Sequence, residues 1–240
     1  MKILGINIET VRTTNLFLDL PENLRKIWHK RYINRKSNLT KESFEDPEIN
    51  LAVKYADNAG FYPEFSQIVC ISVSFYEKGA AYHSFICTEH DNYQEKEKMI
   101  LTKLSNFLTE NKITNLLGHN ILGFDIPFLR NKYIKYRMQL PIILKASHTI
   151  ENGVLSANKP WIVSDKYIDT MKLFKGTSFE NYSIDAICSL YDIETPKAQM
   201  DDSEVYSYYQ QGKINEISKC CEADVKAVKN IYYLLYNFLK

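Results

Sequence analysis

The stretch Leu117-Gly-His-Asn-Ile-Leu-Gly-Phe-Asp-Ile-Pro-Phe-Leu129 decides how the rest of the chain is read. An apolar run, Ile113 to Leu117, leads into Gly118, His119 and Asn120. Asp125 and Pro127 follow, and then apolar residues at helical spacing: Phe128, Leu129, Tyr133 and Ile134. The pattern predicts a strand, a glycine-bearing turn and a helix that takes Pro127 in its first turn, where no intrahelical N–H bond is lost. Asp125 then falls where strand gives way to helix, at the carboxyl edge of a sheet, which is where α/β folds place their chemistry. An aspartate there also serves as a helix N-cap. What separates the two roles is whether other carboxylates converge on it.

Upstream, Lys2-Ile-Leu-Gly-Ile-Asn-Ile-Glu-Thr10 reads as a short apolar strand. Asn7 and Glu9 are two apart, so the period of a strand points both to one face near its end. A polar pair in an apolar strand needs partners or a metal if it is buried; an edge strand with one solvated face would also carry it. Downstream, a long helix is predicted from Lys213, with Ile214, Ile217, Cys221, Val225, Val228, Tyr232 and Leu235 as its apolar stripe. Cys220 and Asp224 are four apart and share one face of that helix. Asp224 sits among its core positions, where an unpaired carboxylate is costly. Asp169, in Tyr167-Ile-Asp-Thr-Met-Lys-Leu-Phe174, is a further acid at a strand end, read first as an N-cap.

Between these elements, Ile68 to Phe75 and Ala80 to Cys87 are β-rich, and Glu77-Lys-Gly79 between them predicts a hairpin. Residues 94–111 have the spacing of an amphipathic helix. Residues 139–168 are irregular, marked by Pro141, Gly153, Pro160 and Trp161, and short helices are expected at 183–191 and 203–210. Residues 11–60 read as a helical insertion, with one helix opening at Leu20 and a second from about Phe44 to Asn58. With no internal repeat or linker, the expectation is a single domain over 1–240.

The net charge is +1, from 30 Lys and Arg against 29 Asp and Glu, so any pull on a polyanion must be local. Two acid-free stretches supply candidates. Asn23 to Lys41 carries Arg25, Lys26, Lys30, Arg31, Arg35, Lys36 and Lys41, interleaved with Trp28 and Tyr32. Ile126 to Ile150 carries Arg130, Lys132, Lys135, Arg137 and Lys145. Basic residues among aromatics suit a single strand, through phosphate neutralisation and base stacking; a solvated helix with Trp28 in the core fits the first stretch as well. The five cysteines are odd in number and form no CxxC pair, which argues against a disulfide framework or zinc site and for a reducing compartment. The opening residues enter a strand and do not read as a signal peptide, and no apolar run approaches the roughly 18 residues of a membrane span. A cytoplasmic location is expected.

A first strand with Asn7 and Glu9, a hairpin, a strand-turn with Asp125 and a late helix with Asp224 follow the element order of a ribonuclease H-like fold. That is an α/β architecture whose mixed central sheet is antiparallel through its first three strands, then parallel, and flanked by helices. Here the chain resembles the DEDD superfamily of 3′–5′ exonucleases. Its Asp-x-Glu motif is matched by Asn7-Ile-Glu9 with one departure, and its Asn-x(2–3)-Phe/Tyr-Asp motif by Asn120-Ile-Leu-Gly-Phe-Asp125. Its Tyr-x3-Asp motif is matched by Cys220-Cys-Glu-Ala-Asp224 with a second departure. Glu64 to Ser72, Lys159-Pro-Trp161, Asp169-Thr170, Thr195-Pro-Lys197 and Ser203-Glu-Val205 further resemble the predicted exonucleases similar to the exonuclease domain of family-B DNA polymerases.

The resemblance implies a metal-dependent 3′–5′ exonuclease that releases nucleoside monophosphates from single-stranded ends, of DNA rather than RNA by preference. It implies two divalent cations, Mg²⁺ or Mn²⁺, at Asn7, Glu9, Asp125 and Asp224, with position 7 bridging both. Position 220 would orient the attacking water, and Asn120 and Phe124, with His119 and Thr10, would bind the 3′-terminal nucleotides. Asn7 removes a charge from the centre of such a site. It reads either as an engineered, nearly isosteric inactivation or as a natural change in a degenerate nuclease that still binds nucleic acid; Cys220 leans toward the second.

Overall fold

The computed structural model describes residues 2–36, 47–86, 92–145, 148–151, 154–157, 166–175, 181–196, 200 and 204–239. Lys41, Phe44, Cys87, residues 159–161, Lys197 and Ser203, quoted above, lie outside the described residues. The backbone separates into two compact units, one of Met1–Glu9 with Ile68–Lys240, the other Thr10–Gln67. The second unit therefore takes in more chain than the insertion expected at 11–60.

The first unit is built on a five-stranded sheet. Its strands are β1 (Ile3–Arg12, running on into the second unit), β2 (Ser66–Phe75), β3 (Tyr82–Ile86), β4 (Asn115–Gly118) and β7 (Tyr167–Asp169), in the order β3-β2-β1-β4-β7. β2 and β3 are antiparallel, with Ser72 opposite Ser84. β1 and β4 are parallel, with Gly5 opposite Leu117, and β4 and β7 are parallel, with Gly118 opposite Asp169. The sheet is mixed, and helices cover it. A separate hairpin, β5 (His148–Glu151) with β6 (Val154–Ala157), was missed by the sequence reading. The signal was present: Asn152-Gly153 between two β-prone runs is the strongest short hairpin cue.

Alternation along β1 divides the core. Leu4, Ile6 and Ile8 pack with Ile100, Leu101 and Leu104 of α3 (Tyr93–Glu110) and with Ile126, Phe128 and Leu129 of α4 (Asp125–Lys135). Ile3 packs on the opposite face with Ile184 and Ile187 of α6 (Ile184–Leu190) and Val228 and Ile231 of α8 (Ile214–Leu239). Asn7 and Glu9 share the α8 face by period two. Gly5 lets the helix approach there: a Cβ at this position would stand 3.0 Å from Val225 Cγ1. Just before Val225, α8 delivers Asp224, and one turn before it Cys221, beside Asn7.

One buried ion pair sits behind this sheet. Lys132 Nζ lies 3.2 Å from Glu97 Oε1, and both side chains are fully buried. Ile68 N–H donates to the same carboxylate at 2.7 Å, as does the Tyr136 hydroxyl. Glu97→Ala would leave the ammonium of Lys132 in the core, so a loss of about 3–5 kcal/mol is expected in urea melts. A loss below about 1 kcal/mol would show that the pair does not hold this layer together.

The second unit packs Trp28 of α1 (Glu22–Lys36) against Tyr55 of α2 (Pro47–Asn58) and against Tyr62 and Phe65, all edge to face. Trp28 is 4% exposed, so it is a core residue and presents no stacking face to bases. Arg31 pairs with Glu64 and lies 4.0 Å over the Tyr62 ring. The other acid-free stretch is likewise partly consumed by the fold. Lys132 is buried, and Arg130 donates to Leu144 O at 2.6 Å and to the Tyr167 hydroxyl at 3.1 Å. Several cations of these stretches thus satisfy a carboxylate, a carbonyl or a ring within the fold. No helix among the described residues is long and apolar enough to cross a membrane.

Candidate active site

The carboxyl ends of β1, β4 and β7 meet the start of α4 and the middle of α8. Asn7, Glu9 and Asp224 are half-buried there. The Asn7 amide nitrogen donates to Glu9 Oε1 at 3.1 Å and to Asp224 Oδ2 at 3.1 Å. It also lies 3.5 Å from Cys221 Sγ, whose thiol donates back to Asn7 O at 3.4 Å. Glu9 and Asp224, from opposite ends of the chain, are thus cross-linked by one carboxamide.

Asp125, the remaining position of the expected ligand set, has a separate partner. Asp125 is 2% exposed and accepts from Ile8 N–H at 3.1 Å. The reason is local. Parallel pairing of β1 with β4 stops at Gly5, and α4 begins at Asp125, whose carboxylate receives an amide of β1 beyond that pairing. Among the described residues, no three His, Cys, Asp or Glu side chains form a group that could hold a metal ion. Cys220, expected to orient water, is buried with Sγ 3.8 Å from Met200 O. The thiol that reaches Asn7 is the next one, Cys221, which is also hydrogen-bonded with Cys70 of β2. Burial pushes the Cys221 thiol well above the ordinary range, so it stays protonated. The apolar stripe of α8 already contained Cys221; the motif spacing drew attention to its neighbour.

Burial also pushes the Asp125 carboxyl up, from an ordinary 3.8 to about 7; its own backbone N–H and that of Ile8 act against the shift, and the charge of Asp169 adds to it. A carboxyl raised on folding contributes stability that is full below its unfolded value and is lost as pH rises through its folded value. In EDTA the chain is therefore expected to lose stability between about pH 4 and about pH 7 through this group, by a few kcal/mol. Asp125→Asn keeps an acceptor for Ile8 and removes that contribution. Urea melts of both proteins across this range check it, and equal pH slopes would contradict it.

Asp169, 4% exposed, has a larger structural part than a simple cap. Its carboxylate accepts from Asn120 N at 2.9 Å, Leu122 N at 3.2 Å and Met171 N at 3.1 Å. It caps α5 (Thr170–Lys175) and ties down the turn between β4 and α4. In that turn Asn120 takes φ 57, and its side chain lies over Gly123, where a Cβ would meet Oδ1 at 2.3 Å. His119 is held at both ring nitrogens, Nδ1 by the Thr170 hydroxyl at 2.9 Å and Nε2 by Tyr182 O at 3.0 Å. The carbonyl can only accept, so Nε2 carries a proton. Burial depresses the His119 pKa, which keeps the ring neutral with Nδ1 as acceptor. Phe124 is half-buried and packs against Phe128. Thr10 belongs to the second unit, where its hydroxyl donates to Gly60 O at 2.7 Å.

A mixed sheet with strand order β3-β2-β1-β4-β7, helices on both faces and acids at the strand ends defines a ribonuclease H-like domain of the polymerase-exonuclease kind. Over 100% of its length the chain is similar in fold to the family B DNA polymerase from the hyperthermophilic archaeon Pyrobaculum calidifontis, with a TM-score of 0.57 and 13% identity. The chain spans 25% of that polymerase's length. No curated protein matches the sequence. Residues 61–239 match the family described as predicted 3′-5′ exonuclease related to the exonuclease domain of PolB, and the chain belongs to that family.

Proposed function

We propose that the chain is a metal-dependent 3′–5′ exonuclease that removes nucleoside monophosphates from the 3′ end of a single strand, DNA in preference to RNA, at a rate held down by Asn7. The observation that carries this reading is the meeting of Asn7, Glu9 and Asp224 at the strand ends, from motif positions far apart in sequence. Glu9 and Asp224 each place an oxygen 3.1 Å from one nitrogen. Two such carboxylates fit one hard cation, Mg²⁺ or Mn²⁺, which needs few protein ligands and keeps its waters. A second cation fits poorly while position 7 is an amide, which brings no negative charge to be shared between two cations. A bound cation supplies charge stabilisation at phosphorus and an activated water.

The chain's own residues do the rest. Glu9 and Asp224 concentrate negative charge at one spot. The turn at Asn120 and Phe124 is braced by Asp169 and His119, and in this reading it receives the terminal nucleotides, with Phe124 offering a partly exposed ring. Cys70, Cys188, Cys220 and Cys221 are all carried as thiols, which supports a cytoplasmic location. In a timed digest of a 5′-labelled single strand with Mn²⁺, a slow ladder shortening from the 3′ end is expected, and Asp224→Ala is expected to abolish it. Equal ladders from both proteins would sink the proposal.

The Asn7 amide favours a second reading, a protein that binds 3′ ends without cutting them, because the donor group sits where cleavage needs charge. That reading expects salt-sensitive binding to single strands and no ladder with either metal.

A further inference from the structure

Asn7 sits at the centre of the site and carries the wrong polarity for it. Its amide nitrogen has two hydrogens and three neighbours that accept: Glu9 Oε1, Asp224 Oδ2 and Cys221 Sγ. The two carboxylates are the stronger acceptors, because bonds to charged groups are shorter and tighter. An amide so placed does without charge what a cation does with it: it holds two like-charged side chains together. The nitrogen faces inward because acceptors surround it, and a half-turn of the carboxamide would present Oδ1 instead. No such exchange is open to an aspartate, which only accepts and would leave three carboxylates to be neutralised.

We propose that Asn7 makes this a single-cation centre in which its own amide and the cation exclude one another. Without a cation, the Asn7 NH₂ cross-links Glu9 and Asp224. One Mg²⁺ or Mn²⁺ enters only as the amide turns its oxygen inward, and no second cation follows. The inference rests on the exonuclease reading for the class of cation. It differs from that reading in what it claims, a stoichiometry and a competition rather than a cleavage.

The consequence is a site already settled when empty, so a cation gains little by entering. The test uses the full chain, stripped with EDTA, beside Asn7→Asp and Asn7→Ala. Mn²⁺ binding is followed by the electron paramagnetic resonance of the free ion, and stability by thermal melting with and without Mn²⁺. The unaltered chain is expected to bind one Mn²⁺ with a small rise in Tm. Asn7→Ala should melt lower in EDTA and gain more from Mn²⁺, since the cross-link is gone. Asn7→Asp should melt lowest in EDTA, gain most, bind two Mn²⁺, and bind the first at least about tenfold tighter, as added ligand charge raises affinity. If Asn7→Asp fails to fold in EDTA, Asn7→Ala carries the comparison.

An unaltered chain that binds two Mn²⁺, or none, overturns the proposal. So does an Asn7→Ala variant with the same melting point in EDTA and the same gain from Mn²⁺ as the unaltered chain. Strand cleavage is not read here. A chain that behaves as expected and never shortens a strand refutes the exonuclease reading alone; one that shortens strands with two Mn²⁺ bound refutes this inference alone.

Discussion

Replacing Asn7 by Asp is expected to raise the initial rate of 3′-end cleavage by about a thousandfold or more, equivalent to ~4 kcal/mol in the barrier. The argument is electrostatic. The amide of Asn7 spans Glu9 and Asp224 with both contacts at 3.1 Å, so the group at the centre of the site donates hydrogen bonds where cleavage requires negative charge. An aspartate fills the same volume, reverses the polarity and adds a ligand that can be shared between cations. Its cost falls on the protein without metal, where three carboxylates would repel one another in a half-buried site. The variant should therefore be less stable than the unaltered chain in EDTA and more dependent on Mn²⁺. Initial rates on a labelled single strand at saturating Mn²⁺ measure the gain. A gain below about tenfold, a barrier change under ~1.4 kcal/mol, would mean that the defect does not reside at position 7.

The second large effect is structural and concerns Asp169. Its carboxylate receives three backbone N–H groups, from Asn120, Leu122 and Met171. Hydrogen bonds to a charged group contribute about 1.5–3 kcal/mol each, and a buried N–H left without an acceptor costs about 1–3 kcal/mol. These figures do not add fully, because the turn can relax toward water. Asp169→Ala is accordingly expected to lose about 3–5 kcal/mol, and Asp169→Asn about half of that, since it retains one acceptor oxygen. Urea denaturation of the three proteins gives the values directly. A loss below about 1 kcal/mol for Asp169→Ala would mean that the turn carrying His119 and Asn120 is held by other contacts. The left-handed conformation of Asn120, φ 57, is the part of that turn most dependent on its anchored amide.

Much of the fold was legible because its period was. Strand β1, the pair β2 and β3, the amphipathic α3, the strand-turn-helix at 117–129 and the long α8 all follow from spacing and turn residues. The meeting of Asn7, Glu9 and Asp224 was legible from motif order. Which thiol reaches Asn7 was not. The rotation of α8 over β1 is set by the fit of Val225 against Gly5, and a helical stripe gives its face only to within a residue. Nor could spacing show that Asp125 turns to an amide of β1, since this depends on where β4 stops pairing. Asp169 looked like a helix cap; the two further amides it binds come from a turn about 50 residues upstream. Charge in sequence does not reveal which cations are consumed internally, as Lys132 is by Glu97.

The most direct test of the central claim, cleavage from the 3′ end at this site, is a comparison of one DNA strand in linear and circular form. The Asn7→Asp variant, with Mn²⁺, is incubated with a 5′-labelled linear strand and with the same strand closed into a circle. The account predicts a ladder that shortens one nucleotide at a time from the 3′ end of the linear strand, an intact circle, and the same pattern at a far lower rate from the unaltered chain. Nicking of the circle, or early release of the 5′ label as a mononucleotide, would contradict it.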